Sequence, residues 1–214
     1  MNSVEIKNNK ILKKQNFIYY ENNINTVVGP NESGKTTLAN ILNKKIKSSI
    51  LLNDDSKIDY DKKIDIYLKK LNLINLKDIP FEQLSSGERQ IIIVLSGLIK
   101  EENIIIYDDC LSSVDLQLKN KLFKILKQKL KTKTIINITS DVEETIYGNY
   151  TSLINNGKIL FQEKTLKALN KEKEFKNSNL DLPFMASLSV KLKYYELLNK
   201  VYLDSKKLVN ELWK

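Results

Sequence analysis

The sequence predicts one α/β domain, in which the strands of a sheet alternate with helices along the chain. Short apolar runs are separated by longer stretches with helical periodicity, the order expected when helices connect neighbouring strands. The chain has 214 residues and 42% of them are hydrophobic, which suffices for one large core or for one core with a short appendage. Between Val28 and Lys35 a glycine-containing turn leads directly from an apolar run into a helical stretch, as is typical of α/β folds.

Eight strands are predicted from short runs rich in apolar and β-branched residues. They are Val4–Ile6, Phe17–Tyr20, Asn25–Val28, Ser49–Leu52, Ile104–Tyr107, Thr134–Ile138, Ser152–Ile154 and Lys158–Phe161. The last two are joined by Asn-Asn-Gly, whose residues tolerate the left-handed conformation of a tight hairpin turn, so we expect these two strands to pair.

Four helices are predicted in the same part of the chain, over Lys35–Lys45, Lys62–Leu71, Gly87–Ile99 and Gln117–Lys131. In the last of them leucines recur every four residues and form one apolar stripe. After the break at Pro183, the segment Ala186–Leu212 also has a helical apolar stripe. The sequence therefore predicts a helical tail that packs on the main domain or on a partner.

The composition excludes several classes of site. The chain contains no histidine, which removes histidine metal ligands, histidine general bases and Ser-His-Asp triads. The one cysteine, Cys110, cannot form a disulfide within the chain and fits a reducing cytosol. The longest nearly uncharged run, Ile91–Ile99, has only half of the ~20 residues that a membrane-spanning helix needs. The formal net charge is +9, but the lysines are spread along the chain, so no nucleic-acid partner is expected.

The turn after Val28 matches a phosphate-binding motif. Its sequence GPNESGKT, called the P-loop below, fits the pattern G-x-x-x-x-G-K-[ST] and lies between an apolar strand and a helix. Glycines let the main chain curl so that its N–H groups converge on phosphate oxygens, the lysine adds a positive charge, and the Thr36 hydroxyl can ligate Mg²⁺. The predicted nucleotide-binding residues here are Gly29, Pro30, Asn31, Glu32, Ser33, Gly34, Lys35, Thr36 and Thr37.

Two acidic residues follow the apolar strand Ile104–Tyr107. A buried strand that delivers a carboxylate at its carboxyl end is the usual partner of a P-loop, so Asp108 is predicted to hold Mg²⁺ together with Thr36. Asp109 lies where a general base would polarise the attacking water, and it is predicted to be catalytic.

A third motif carries a resemblance to a known family. Residues 84–90, LSSGERQ, are similar to the LSGGQ signature of ABC-type ATPases, with Ser86 at the position of the first glycine. The order of the landmarks is similar too: P-loop, signature, acidic strand, the segment Ser112–Asp115, and then the segment Ile138–Glu144. This last segment resembles the family's switch, which usually contains T-H-D. The resemblance covers residues 24–160.

The resemblance implies an α/β P-loop NTPase of the ABC-ATPase type, with a mixed β-sheet core, flanking helices and a shortened helical subdomain. It assigns residues 1–165 to the ATP-binding domain, with the helical signature segment near 60–100, and residues 166–214 to a C-terminal helical extension. In this family two ATPase subunits join head to tail around MgATP, and the signature of each completes the site of the other. The signature residues that would bind the partner's nucleotide are Ser85, Ser86, Gly87 and Glu88.

Two further segments, YLKKLNLINLKDIPFEQLSSGE and LDLPFMASLSVKLK, resemble parts of the ATPases of energy-coupling-factor (ECF) transporters. Those ATPases work in pairs and drive the uptake of vitamins or metal ions by an integral membrane transporter subunit. The resemblance thus implies a cytoplasmic protein, peripheral on the inner face of the membrane. Its implied partners are a second ABC ATPase subunit, in a homodimer or a heterodimer, and the membrane subunit.

Four features depart from the family pattern. Asp109 replaces the usual glutamate, and the shorter side chain would hold the attacking water about 1 Å from its best position. Ser140 replaces the switch histidine, and it can donate a hydrogen bond but cannot become cationic. The interval between Lys35 and Leu84 is short, with 48 residues, and its segment Asn43–Pro80 contains no glutamine, so that Asn53 is a weak stand-in for the family's Q-loop residue. The stretch before Phe17 contains no aromatic residue that could stack on adenine.

These departures favour an asymmetric pair of subunits. The P-loop is fit to bind MgATP, and the signature can complete a partner's site, but the chain's own catalytic residues, Asp109 and Ser140, are weakened. The hypothesis is a heterodimer with one weak and one competent site. Two alternatives stay open. One is a soluble ABC-class ATPase in DNA repair or defence, although the chain has no room for the long coiled coil usual there. The other is a regulatory subunit that binds ATP without hydrolysing it.

Overall fold

The computed structural model of the protein describes residues 1–58 and 60–213. The strands are β1 Asn2–Ile6, β2 Gln15–Tyr19, β3 Ile24–Val28, β4 Ser49–Asn53, β5 Ile104–Asp108, β6 Thr134–Thr139, β7 Tyr150–Asn155 and β8 Lys158–Lys164. The α-helices are α1 Lys35–Lys45, α2 Asp65–Leu71, α3 Ser86–Ile99, α4 Leu116–Lys129, α5 Thr165–Ala168, α6 Glu172–Asn177, α7 Phe184–Tyr194 and α8 Ser205–Leu212. Short 3₁₀ turns cover Lys62–Ile64, Ile74–Asp78, Phe81–Gln83 and Val142–Tyr147.

Six of the strands form one mixed sheet in the order β4-β5-β6-β3-β7-β8, and β1 and β2 pair antiparallel in a separate small sheet. The strands from β4 to β7 in that order run parallel, and β8 runs antiparallel to β7. Parallel strands all end at one edge of a sheet, so the segments that follow β3, β5 and β6 meet there. Those segments are the P-loop, the acidic pair and the switch.

The central strands are buried on both faces, which explains why they are uninterrupted apolar runs in the sequence. Along β5, Ile105 and Tyr107 enter the core beneath α3 and α4, whereas Ile104 and Ile106 enter the core beneath α1. This alternation follows from the two-residue period of a strand. Helices packed on both faces therefore hold the sheet edge at which the three motifs meet.

Helix α4 shows how the sequence determines a helix start and a buried face. Its cap is Asp115, whose carboxylate accepts hydrogen bonds from the N–H groups of Gln117 and Leu118. Two leucines of the expected stripe, Leu122 and Leu126, are fully buried in the core on that side of the sheet. The predicted helix and its apolar stripe are confirmed.

The sequence predicted most of the other elements as well. All eight expected strands are present, and the Asn-Asn-Gly turn joins β7 to β8 with Asn156 and Gly157 in the left-handed region. Helices α1, α3 and α4 agree with their predicted bounds to within two residues at each end. The helix expected over Lys62–Leu71 begins as a 3₁₀ turn and becomes α-helical at Asp65. Within the described part of the chain, no helix combines the length and the apolar character needed to cross a bilayer.

The prediction of a continuous helical tail over Ala186–Leu212 is wrong. The tail contains two helices, α7 and α8, with ten residues of turn and extended chain between them. In that connection Glu196 adopts a left-handed conformation with φ 59°. The Ser189 hydroxyl on α7 donates to the main-chain carbonyl of Tyr202 and accepts from its N–H group, which ties the connection back onto α7.

The C-terminal segment packs directly onto the sheet. Phe175 and Leu169 share an apolar core with Val28 at the end of β3 and Leu153 on β7. The first N–H group of α7 donates to the carboxylate of Glu143, in the 3₁₀ turn that overlaps the end of the switch. The division of the chain into residues 1–165 and 166–214 stays a prediction.

Candidate nucleotide-binding site

The P-loop connects the carboxyl end of β3 to the first residue of α1. Gly34 caps the helix in the left-handed region with φ 100°, a conformation that favours glycine. A Cβ atom at Gly29 would lie 2.3 Å from the carbonyl oxygen of Ile154 on β7. The curl of the loop therefore requires glycine at both positions, as the motif predicts.

Lys35 is buried in the middle of this loop. Its ammonium group donates hydrogen bonds to the carbonyl oxygens of Gly29 and Pro30, both at 2.9 Å. Burial lowers the pKa of Lys35, while the nearby carboxylates of Asp109 and Asp108 act in the opposite direction. The loop thus holds one cation at its centre and two carboxylates beside it.

Asp108 ends β5 and is buried next to the loop. Its Oδ1 atom has no hydrogen-bond partner among the described residues, and the buried hydroxyl of Ser33 in the loop lacks one as well. Burial raises the pKa of Asp108, and a hydrogen bond from the Thr36 hydroxyl opposes that rise. Buried polar atoms are normally paired, so these two atoms are available to a ligand.

Phosphate with a divalent cation fits these residues. A carboxylate oxygen and a hydroxyl are the hard ligands that Mg²⁺ prefers, and Asp108 and Thr36 supply them side by side. In the described residues no group of three or more acidic or cysteine side chains forms a complete metal site. The remaining ligands would come from water and from the phosphates themselves, which is the usual arrangement for Mg²⁺ in nucleotide sites.

The two predicted catalytic residues contact each other. Asp109 follows β5 in the left-handed region with φ 51°, and its Oδ1 atom accepts hydrogen bonds from the N–H group of Ser140 at 2.8 Å and from the Ser140 hydroxyl at 3.1 Å. The main-chain N–H group of Asp109 donates to the carbonyl oxygen of Ile138 at the end of β6. The neighbouring strands β5 and β6 thus bring together the acid and the switch residue.

A cavity of about 480 Å³ opens beside the P-loop, large enough for a nucleotide-sized ligand. Its lining residues are Ile11, Asn31, Glu32, Gly34, Lys35, Thr36, Thr37 and Asp109. The cavity therefore joins the predicted phosphate-binding residues to the predicted catalytic acid.

Ile11 is a residue that the sequence did not reveal as part of this cavity. It lies in the connection between β1 and β2 and is 53% exposed. The side chain of Asn9 accepts hydrogen bonds from the N–H groups of Ile11 and Leu12, and Leu12 packs beside Gly34 of the P-loop. A lone isoleucine in a polar stretch gives no recognisable signal, because only the folded chain places it beside the P-loop.

The stand-in for the Q-loop residue lies at the same edge of the sheet. Asn53 ends β4 and pairs in register with Asp108 on the adjacent strand β5. Its side chain accepts a hydrogen bond from the Ser56 hydroxyl. Asn53 thus occupies a place next to the acidic pair, although it does not line the cavity as described.

The signature residues lie apart from this cavity and begin helix α3. The Ser85 hydroxyl accepts from the N–H group of Glu88, and the Glu88 carboxylate accepts from both the N–H group and the hydroxyl of Ser85. Hydrogen bonds from Ser85 lower the pKa of Glu88. Ser85 and Ser86 are exposed, so the start of α3 is open to solvent.

Lys119 on α4 anchors the switch, a role that the sequence did not indicate. Its buried ammonium group donates to the carboxylates of Asp141 at 2.7 Å and Glu144 at 3.0 Å. The side-chain amide of Asn137 on β6 donates to the other oxygen of Glu144. The residues directly after Ser140 are therefore held by a buried ion-pair network.

No protein-family model matches the chain. Among curated proteins, the energy-coupling factor transporter ATP-binding protein EcfA1 of Mesomycoplasma hyopneumoniae is 28% identical over an alignment of 252 residues, which covers 95% of this chain and 91% of that protein. The energy-coupling factor transporter ATP-binding protein EcfA of Malacoplasma penetrans is 27% identical, with coverage of 96% and 88%. Both alignments span nearly the whole of each protein, including the C-terminal segment.

Solved structures show the same fold. The structure of cbiO1 from Clostridium perfringens, part of the ABC transporter complex cbiONQ, matches with a TM-score of 0.61 and 20% identity, over 83% of this chain and 91% of that one. A nucleotide-free ATP-binding cassette of an ABC transporter matches with a TM-score of 0.58 and 16% identity, over 82% and 92%. The chain therefore has the fold of the ATP-binding cassettes of ABC transporters, and over nearly its whole length it is similar in sequence to the ATP-binding proteins of energy-coupling factor transporters.

Proposed function

We propose that the chain is the ATP-binding subunit of a membrane transporter for a micronutrient, and that it binds MgATP in the cavity beside the P-loop. One observation carries this proposal. The buried Lys35 ammonium group, the unpaired Oδ1 atom of Asp108 and the unpaired Ser33 hydroxyl lie on one curled loop and the adjoining strand end, among residues the structure describes. A triphosphate with Mg²⁺ would satisfy all three groups.

The proposal assigns each part of the site a role. The main-chain N–H groups of the P-loop and Lys35 hold the phosphates, Thr36 and Asp108 hold Mg²⁺, and Ile11 contacts the base from the open end of the cavity. Asp109 orients the attacking water when hydrolysis occurs. Release of the cleaved γ-phosphate removes negative charge from the N–H groups of the P-loop and from Lys35, which is how binding and hydrolysis can drive a two-state change.

The second part of the proposal is a pair of ATPase subunits. The exposed start of α3, with Ser85 at its cap, is a helix N-terminus of the kind that binds phosphate, and it lies apart from the chain's own P-loop cavity. A partner subunit that carries its own MgATP would complete that site. We propose a heterodimer on the cytoplasmic face of the membrane, bound to an integral transporter subunit, in which this chain supplies the slower site.

Calorimetric titration of the full chain with MgATP tests nucleotide binding. Lys35→Ala removes the cation of the loop and should weaken affinity about 10- to 100-fold, since a hydrogen bond to a charged group contributes about 1.5–3 kcal/mol. Lys44→Ala is the matched control, because Lys44 lies on the same helix but is exposed. Equal affinities of wild type and Lys35→Ala would refute the proposal.

The pairing of subunits needs its own test. In a complex with a second ABC ATPase from the same genome, Ser85→Arg should block the ATP-dependent association, because the larger cationic side chain fills the place of the partner's γ-phosphate. Binding of MgATP by the isolated chain should be unchanged. Association that is insensitive to Ser85→Arg would contradict the head-to-tail pair.

A regulatory subunit that binds ATP without hydrolysing it is the second candidate function. The contact between Asp109 and Ser140 favours it, because one oxygen of the only carboxylate in the general-base position is occupied by two hydrogen bonds within the described structure. Tight binding of ATP by the chain, together with no release of phosphate in either the isolated or the paired state, would establish this function.

A further inference from the structure

Gln90 is a buried amide at the point where helix α3 becomes apolar. It is the last residue of LSSGERQ and is 1% exposed. The residues after it, from Ile91 to Leu95, belong to the apolar core. A polar side chain at such a position is costly unless each of its donors and acceptors is paired.

The Gln90 amide joins three separate segments of the chain. Its Nε2 atom donates to the carboxylate of Asp54, at 2.9 and 3.1 Å, and to the Ser112 hydroxyl at 2.9 Å. Its Oε1 atom accepts from the N–H group of Ser113 at 2.8 Å. Each polar atom of the amide is therefore used, and the partners lie 36, 22 and 23 residues away along the sequence.

Each of these segments is directly connected to the nucleotide site. Asp54 follows Asn53, which pairs in register with Asp108. Ser112 and Ser113 follow Asp109 after two residues, and the Ser112 hydroxyl also lies 3.4 Å from the carbonyl oxygen of Asp109. Gln90 itself is the last residue of LSSGERQ, two residues after Glu88. The amide thus links the loops behind the chain's own site to the helix that begins at the signature.

Close packing reinforces this link. A Cβ atom at Gly87 in the signature would lie 2.7 Å from the carbonyl oxygen of Ser113. The start of α3 and the loop after Asp109 are thus in main-chain contact, and neither can move far without the other. The hydrogen bonds of Gln90 strengthen that contact, and they would break if the two segments separated.

We propose that Gln90 is a positioning residue that couples nucleotide binding in the P-loop cavity to the placement of the signature. The inference rests on the proposed function, since it requires that MgATP binds in that cavity. When MgATP binds, it fixes the positions of the loops after β4 and β5. Through its hydrogen bonds to these loops, Gln90 then fixes the position of the first turns of α3. The chain's own site thereby prepares the surface that completes the partner's site.

Hydrogen exchange measured by mass spectrometry, with and without MgATP, tests the coupling in the full chain. In the wild type, MgATP should slow exchange in peptides that cover residues 84–92 by about fivefold or more, the size of an ordinary coupling between sites. Gln90→Glu places a carboxylate against Asp54 and should abolish the slowing at residues 84–92, while calorimetry still shows MgATP binding. Asp54→Asn combined with Gln90→Glu exchanges donor and acceptor, so the slowing should return.

Two further variants keep the test decisive. Asp54 is exposed, so Asp54→Ala removes an acceptor of Gln90 with little risk to folding and should also reduce the slowing. Asp55→Ala changes the exposed neighbour and should leave it unchanged. If Gln90→Glu fails to fold, the comparison of Asp54→Ala with Asp55→Ala decides.

The outcomes separate this inference from the proposed function. A wild-type chain that binds no MgATP by calorimetry would overturn both. A wild-type chain that binds MgATP with no change at residues 84–92, or variants that keep the full change, would overturn the coupling alone. Loss in Gln90→Glu with recovery in the double variant would support it, because a general loss of stability would not be reversed by the exchange of donor and acceptor.

Discussion

One carboxylate oxygen of Asp109 accepts two hydrogen bonds from Ser140, one from the main-chain N–H group and one from the hydroxyl. Two of the positions at which the sequence departs from the ABC-type pattern are therefore paired in space. Glutamate and histidine, the residues that the pattern has there, both have longer side chains. In this chain the shorter side chains of Asp109 and Ser140 hydrogen-bond to each other, so the folded site accommodates both departures together.

The first prediction follows from this pairing. Restoring only one member should achieve little, whereas Asp109→Glu combined with Ser140→His should raise the rate of phosphate release in single-turnover experiments about 10- to 100-fold. The longer carboxylate can hold water, and the histidine can donate to the γ-phosphate. The matched control is Asp109→Gln with Ser140→His. Glutamine has nearly the size of glutamate but cannot act as a base, so phosphate release by this variant should stay slow. A double variant no faster than wild type would show that the Asp109–Ser140 pair does not limit hydrolysis.

The second prediction concerns the base. Ile11→Tyr adds an aromatic ring at the open end of the cavity, and stacking on a base contributes about 1–3 kcal/mol, so the affinity for MgATP should rise about fivefold or more. Titration with inorganic triphosphate provides the control, since it lacks a base and its affinity should not change. If both ligands respond equally, Ile11 acts on the loop and not on the base.

How far the sequence predicts this site depends on how local each signal is. The P-loop, the acidic pair and the signature are contiguous motifs, and the sequence predicts correctly that the first two lie at strand ends and that the third begins a helix. Ile11 is placed at the cavity by the packing of its segment against Gly34, and Lys119 contacts Glu144 from another element. Because both depend on contacts between distant parts of the chain, no short sequence pattern identifies them. Gln90 is seen in the sequence only as the last residue of LSSGERQ, and its three partners are visible only in the folded chain.

The same distinction explains the error in the tail. The parallel strands were predictable because burial on both faces makes them continuous apolar runs. Between α7 and α8 the chain contains neither glycine nor proline, and the turn at Glu196 is held by the tertiary contact between Ser189 and Tyr202. Periodicity alone predicts a continuous helix there, because it does not register a hydrogen bond that forms only after the chain has folded back.

The third prediction uses the ion pair behind the switch. Lys119→Met leaves the buried carboxylate of Glu144 without its cation and should lower the free energy of unfolding by ~3–5 kcal/mol at neutral pH. Burial raises the pKa of Glu144, and Lys119 and Asn137 oppose that rise. Without Lys119 the pKa of Glu144 rises further. At neutral pH the folded variant must then keep an unpaired carboxylate buried, which lowers its free energy of unfolding. The loss should therefore shrink as pH falls through the raised pKa and Glu144 takes up a proton.

Urea denaturation at pH 7 and near pH 5 measures this effect. Lys121→Met is the matched control, because Lys121 lies on the same helix but is exposed, and it should change stability by less than about 0.5 kcal/mol. A penalty for Lys119→Met that is the same at both pH values would show that the lost contribution is packing of the lysine stem and not charge compensation of Glu144.

The fourth prediction tests whether the C-terminal segment folds with the sheet or as a separate unit. Phe175 is 0% exposed and packs in one core with Val28, the residue that precedes the P-loop. Phe175→Ala should cost ~3–5 kcal/mol, as for other buried phenylalanines. Because that core is shared with β3, scanning calorimetry should show one transition for the whole chain, shifted to lower temperature. Phe184→Ala, at a residue 69% exposed on α7, is the matched control and should leave the transition unchanged. Two transitions, of which only one moves in Phe175→Ala, would show instead that residues 166–214 form an independent domain, and the contact with Val28 would then contribute nothing to the stability of the P-loop strand.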